Sequence, residues 1–156
     1  MKTLTLFRHA KTERDSDSGR DFDRRLIDRG RDDSKRMGEE ISEQGLAFDL
    51  VLSSPAARAA ETAELAGLTV RFDERIYDAS TDELLDIVRS TDEVIVRLAM
   101  VGHNPGFEPL ASRLTGQALI MPTGSVAEIA IPVERWSEAG EANGRLTRFL
   151  KPKELR

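Results

Sequence analysis

Short apolar runs alternate with amphipathic stretches from one end of the chain to the other. The first run, Leu4-Thr5-Leu6-Phe7, is apolar and bounded by charge, the pattern of a buried strand. Thr12 to Arg25 is polar, holds Gly19 and shows no periodicity, so it reads as a long loop near the end of the first strand, of the kind that bears function or is mobile. A helix is predicted from about Gly30 to Gln44, with Met37 and Ile41 on one face and Gly45 as its stop. Asp49 to Ser53 predicts a second strand that passes directly into a helix, with Ser54 as N-cap and Pro55 at the first helical position, ending at Gly67. A short strand is expected near Leu68 to Phe72, and Ser80 with Glu83 forms a capping box for a helix carrying Leu84, Leu85, Ile87 and Val88. A fourth strand lies within Val94 to Val101. Asn104 and Pro105 then repeat the cap-then-proline signal for a helix with Phe107, Leu110, Ala111 and Leu114 that ends at Gly116. Val126 to Ile131 and Arg145 to Leu150 supply two more strands, separated by a loop or helical turn holding Trp136.

This alternation favours an α/β layered domain over segregated helical and sheet halves. At 156 residues, with no repeat or break in composition, residues 1–156 read as one domain. The absence of cysteine excludes disulfides and thiolate metal sites. No stretch has the ~20 apolar residues of a membrane helix, and Met1 to Arg8 lacks the apolar core of a signal peptide, so a cytoplasmic protein with no membrane partner is expected. The net charge of −5 argues against nucleic acid as a partner, because such binding rests on a basic patch. The segment from Lys11 to Arg36 carries nine basic and eight acidic residues, which suits a solvated loop and helix face and also allows a protein contact.

Chemistry concentrates at the predicted strand ends, where ligands of open α/β sheets collect. Arg8 and His9 follow the first strand, Arg58 sits in the first turns of the second helix, and His103 follows the fourth strand. A phosphoryl group needs cations and N–H donors around its oxygens and a nucleophile in line with the leaving group. Arg8 and Arg58 offer forked, permanently charged donors, helped by the dipole of the helix beginning at Pro55. His9 is placed as a neutral nucleophile, its pKa lowered by the nearby arginines, and His103 as a donor to phosphoryl oxygen. Lys11 and Asn104, next to the two histidines, are further substrate-binding candidates. Neighbours on a strand point to opposite faces, so convergence of Arg8 and His9 requires the strand to break at about Phe7. Taken singly, each residue has an ordinary explanation as a solvated turn, an exposed helical arginine or a core histidine. A metal site is not expected, since no third ligand stands at a recognisable spacing and the arginines would repel a cation.

The stretches LFRHAKT (Leu6 to Thr12), Asp28-Arg29-Gly30, LSSPAARAAET (Leu52 to Thr62), VGHNPG (Val101 to Gly106) and PTGS (Pro122 to Ser125) together resemble the histidine phosphatase, or phosphoglycerate mutase-like, superfamily. Ala10 and Lys11, where the superfamily most often has glycine after the histidine, and the ending Gly144, Leu146, Phe149, Pro152 and Leu155 resemble its short SixA-type phosphohistidine phosphatase branch. The resemblance implies a three-layer α/β/α fold with a mixed, mostly parallel six-stranded sheet whose fifth strand is antiparallel. It also implies a covalent phosphohistidine on His9, phosphoryl binding by Arg8, Arg58 and His103, and no metal or organic cofactor. Many relatives use a glutamate as general acid after the third strand, and the nearest counterpart is Asp78. Without that acid, good leaving groups such as the imidazole of phosphohistidine are favoured over alkoxides. A phosphohistidine-bearing signalling protein is then the expected partner. A small-molecule phosphoester phosphatase or phosphomutase, and a non-catalytic phosphoprotein-binding module, are the alternatives.

Overall fold

The computed structural model describes residues 1–156. Six strands form one sheet: β1 (Lys2–Arg8), β2 (Leu50–Ser53), β3 (Arg71–Phe72), β4 (Arg97–Gly102), β5 (Val126–Ile131) and β6 (Arg145–Leu150), in the spatial order β3-β2-β4-β1-β5-β6. β1, β2, β3 and β4 are mutually parallel, whereas β5 runs antiparallel to both β1 and β6. The expected six-stranded mixed sheet with an antiparallel fifth strand is therefore the observed one.

Side-chain alternation along the strands divides the core between the two faces of this sheet. Leu4, Leu6, Leu98, Met100, Ala127 and Ile129 pack into one cluster with α3 (Thr81–Arg89) and α4 (Phe107–Thr115). Phe7, Val51, Ala99, Val101 and Val126 pack into the other with α1 (Asp28–Glu43) and α2 (Ala57–Leu65), and Leu155 of the short α5 (Pro152–Leu155) closes its margin. These are the three layers the family resemblance implies. No helix is long and apolar enough to cross a membrane.

Several boundaries differ from those read in the sequence, each for a physical reason. The second helix begins at Ala57, with Ala56 as N-cap and no side-chain cap, so Pro55 lies before the helix. The Ser54 hydroxyl is engaged by His103 Nε2 at 2.7 Å and by the Ala56 amide at 3.2 Å, which makes a turn where a cap was expected. α4 likewise begins at Phe107, although Asn104 Oδ1 still accepts the Glu108 N–H at 3.0 Å across a cis Asn104–Pro105 bond. β3 shrinks to two residues, and β4 begins at Arg97, where the Asp49 carboxylate receives the Val96 and Arg97 amides. The Ser80–Glu83 capping box forms as predicted.

Trp136 belongs to a turn (Trp136–Glu138) under the N-terminal ends of the strands. It is fully buried, its indole N–H donates to the Ile95 carbonyl at 2.7 Å, and the Lys2 ammonium lies 5.6 Å from its ring centroid. Seven residues separate this end of β1 from the other, about 20 Å at a strand's rise.

Candidate functional site

The C-terminal ends of β1, β2 and β4 open into a cavity of about 740 Å³. All seven residues singled out in the sequence line it: Arg8, His9, Lys11, Arg58, Asp78, His103 and Asn104. β1 does not break at Phe7, because Arg8 still pairs with Gly102 of β4. His9 is the first residue beyond the strand, and the departure from strand geometry there lets both side chains reach one cavity.

The turn Pro122 to Ser125 fixes that departure. The Gly124 amide donates to the carbonyls of both Arg8 (3.1 Å) and His9 (2.8 Å), and its φ of +78° is a conformation suited to glycine. A second close approach lies behind Lys11. A Cβ at Gly30 would run into the Lys11 carbonyl oxygen, so the first turn of α1 can rest on this backbone only as glycine.

His9 is buried, and its Nδ1 stands 2.8 Å from the Ala10 carbonyl, to which it can only donate. Nε2 therefore carries the lone pair. Burial, reinforced by the charges of Arg58, Arg8 and Arg24, outweighs that carbonyl and pushes the imidazole down to a pKa of about 4. His103, its ring centroid 5.3 Å from that of His9, is pushed down to about 3 by burial and then by Arg58. Both rings are neutral at physiological pH.

Two arginines frame them. Arg8 Nη1 donates to the Met121 carbonyl at 2.7 Å, while its Nε is buried without a partner. Burial pulls its pKa below the ordinary arginine value, and the Glu108 carboxylate works against that pull. Arg58 is buried, and its two terminal nitrogens meet Asp21, Nη1 at the backbone carbonyl (2.9 Å) and Nη2 at the carboxylate (3.0 Å). That carboxylate also receives the Tyr77 hydroxyl at 2.8 Å and Arg24 Nη1 at 2.9 Å. Partial burial would raise Asp21, but these donors outweigh it and hold the acid down to about 2.

Asp21, Arg24 and Tyr77 were not singled out in the sequence. Asp21 lies in a helical turn (Asp21–Asp23) within the charged stretch read as a solvated loop. The stretch is in fact closed on itself, through a bridge between Thr12 and Leu26 and a bond from the Glu13 amide to the Arg25 carbonyl at 2.9 Å. The same closure carries Asp21 to the cavity. The only prior signal was a polar loop directly after His9.

Lys11 is exposed at the cavity. Asn104 lines it too, but its Oδ1 is committed to the Glu108 amide. Asp78 is exposed, with a left-handed φ of 55°. Glu83, the remaining lining carboxylate, is held below the usual carboxylate range by the Ser80 amide and hydroxyl of the capping box. No three His, Asp or Glu side chains converge to hold a metal ion. A neutral imidazole with a free lone pair, set between the buried Arg58 and the half-buried Arg8, can attack the centre of an oxyanion that those groups neutralise.

Comparison with known proteins bears on this geometry. An uncharacterised chloroplast protein of Arabidopsis thaliana is 32% identical over 92% of this chain and 72% of its own length. The structure of a SixA protein from Agrobacterium tumefaciens, assigned as a phosphohistidine phosphatase, superposes with a TM-score of 0.83 at 26% identity, covering 97% of this chain and 98% of that one. A phosphoserine phosphatase of Entamoeba histolytica shares the fold at a TM-score of 0.70 and 15% identity, over the full length of both. Residues 4–91 match the family model of the histidine phosphatase superfamily (branch 1), so the chain belongs to the histidine phosphatase superfamily, a class of phosphatases.

Proposed function

We propose that the protein removes the phosphoryl group from phosphohistidine in a protein, most plainly a signalling protein, by way of a covalent phosphohistidine on His9. The observation that carries this reading is the His9 ring, neutral and buried, with Nδ1–H on the Ala10 carbonyl and Nε2 free. In the first step, Nε2 bonds to phosphorus as the bond to the substrate's imidazole nitrogen breaks. The electron pair leaves with that nitrogen, and the ring, already protonated on its other nitrogen, departs as neutral imidazole. Arg8, Arg58 and His103 hold the phosphoryl oxygens, and the Ala10 carbonyl stabilises the positive charge that His9 acquires. Water then attacks phosphorus, the pair returns to Nε2, and inorganic phosphate departs.

Phosphohistidine is favoured over an alkyl phosphoester because no lining carboxyl is set up as a proton donor. Asp21 is held ionised at about 2, Glu83 is locked in its capping box, and Asp78 is open to solvent. An alkoxide needs that proton at the leaving atom, whereas a phosphoimidazole protonated from solvent on its other ring nitrogen departs as neutral imidazole with no carboxyl at the site. The likeness to the SixA protein supports the same substrate class.

The decisive experiment compares a phosphohistidine peptide with small phosphoesters, using wild type and His9→Ala. The expected result is turnover of the peptide in preference to the esters, with a phosphoenzyme that survives base, is lost in acid and is absent from His9→Ala. Arg8→Ala and Arg58→Ala should each lower the rate by roughly 10²–10³. Preferred turnover of small phosphoesters would overturn the substrate assignment, and steady turnover without a trapped phosphoenzyme would overturn the mechanism.

A further inference from the structure

His103 has two ring nitrogens, and only one has a partner. Nε2 stands 2.7 Å from the Ser54 hydroxyl, while Nδ1 is buried and bonded to nothing in the protein. Ser54 is itself fully buried and held on both sides. Its amide donates to the Val101 carbonyl at 2.9 Å, two residues before His103, and its own carbonyl accepts the Ser53 hydroxyl at 3.0 Å. The hydroxyl oxygen already accepts the Ala56 amide at 3.2 Å.

These bonds decide where the protons lie. A hydroxyl brings one proton and two lone pairs. If His103 carried its proton on Nε2, the Ser54 oxygen would receive two N–H donors and its own proton would have no acceptor. The buried Nδ1 would then present a lone pair, which repels a phosphoryl oxygen. If Ser54 donates to Nε2, the hydroxyl is satisfied, and the one unmet group is an Nδ1–H donor. An unmet buried donor costs free energy until an acceptor arrives.

We propose that Ser54 is a positioning residue whose hydroxyl donates to His103 Nε2, fixing the Nδ1–H tautomer so that Nδ1–H is the donor to a phosphoryl oxygen. The assignment of that oxygen rests on the phosphatase reading; the tautomer does not. Ser54 is fully buried and does not line the cavity. It acts through His103, as the hydrogen-bond partner of a catalytic imidazole fixes its tautomer and orientation.

The chain has two histidines, so long-range proton–nitrogen correlation spectra of protein labelled with nitrogen-15 histidine contain two ring patterns, separated by one His9→Gln spectrum. At pH 7 wild-type His103 should show the Nδ1–H pattern. Ser54→Ala should move it toward Nε2–H, and Ser54→Thr, which keeps a hydroxyl, should retain it. Ser54→Ala should also weaken orthovanadate inhibition and lower kcat/KM on phosphohistidine peptide by roughly 10–100-fold, by analogy with removing the hydrogen-bond partner of a metal-ligating histidine, with Ser54→Thr recovering most of it. An Nε2–H pattern in wild type overturns the proposal even if Ser54→Ala fails to fold. So does an unchanged His103 pattern in a folded Ser54→Ala. If the tautomers behave as expected while no phosphorylated substrate turns over, Ser54's part stands and the phosphatase reading falls.

Discussion

At the scale of the residue, the cavity sorts its ionisable groups into neutral bases and fixed charges. His9 is neutral because burial and three arginines oppose its protonation, while Asp21 is anionic because three donors surround it. The arginine effect on His9 was readable from Arg8 and Arg58 at the predicted strand ends. The larger part, burial, was not, since it depends on how the sheet edge is covered. Asp78 was readable only as a position after the third strand, and it stands exposed at the cavity. Asp78→Asn should therefore change turnover of a phosphohistidine peptide by no more than about 2-fold, because imidazole leaves without a general acid. A steady-state assay showing a loss of roughly 10² or more would assign proton delivery to Asp78.

At the scale of the element, the strand ends were legible and their approaches less so. Short apolar runs placed β1, β2, β4 and β5 because the sheet is covered by helices on both faces, and the Ser80–Glu83 box placed α3 because both its bonds are local. Pro55 misled because a local capping rule yields when the same hydroxyl is recruited by a histidine 49 residues away. The loop after His9 does lie near the site as its place in the sequence implies, but which of its residues reach the site was not legible, because the meeting is made by Asp21 across 37 residues to Arg58 and 56 to Tyr77. That loop has a measurable effect. Asp21→Asn keeps the backbone carbonyl that receives Arg58 Nη1 but removes a negative charge beside the oxyanion position. Inhibition by orthovanadate should tighten by about 5–10-fold, the worth of one partly screened charge at such a distance. The gain should shrink in high salt, since the Asp21 side chain is 52% exposed.

At the scale of the whole molecule, the site's electrostatics set how folding depends on pH. The unfolded chain binds protons at histidines near pH 6.5, whereas folded His9 resists them until about 4 and His103 until about 3. Between these values the unfolded state holds more protons. Stability is then complete above about pH 6.5 and falls as pH drops toward 4, by about 3 kcal/mol from His9, with His103 adding in the same sense. Asp21, held near 2, remains ionised across that window and loses its contribution only below it. Urea unfolding between pH 7 and 4 should show the decline, and His9→Gln should remove about half of it, leaving the share of His103. The layered architecture was legible because it follows from alternation, and convergence at one sheet edge because β1, β2 and β4 are parallel and end together.

The turn that buries Trp136 also gives the protein two optical reporters in separate places. The chain has one tryptophan and one tyrosine. The indole is sealed beneath the strands' N-terminal ends, whereas Tyr77 lies edge-on to His103 with ring centroids 5.7 Å apart and bonds Asp21. Orthovanadate should therefore alter the near-ultraviolet tyrosine bands while the native tryptophan emission maximum stays where it was. Denaturant should shift that emission to the red. Occupancy and unfolding can then be followed separately in one cuvette, without a label.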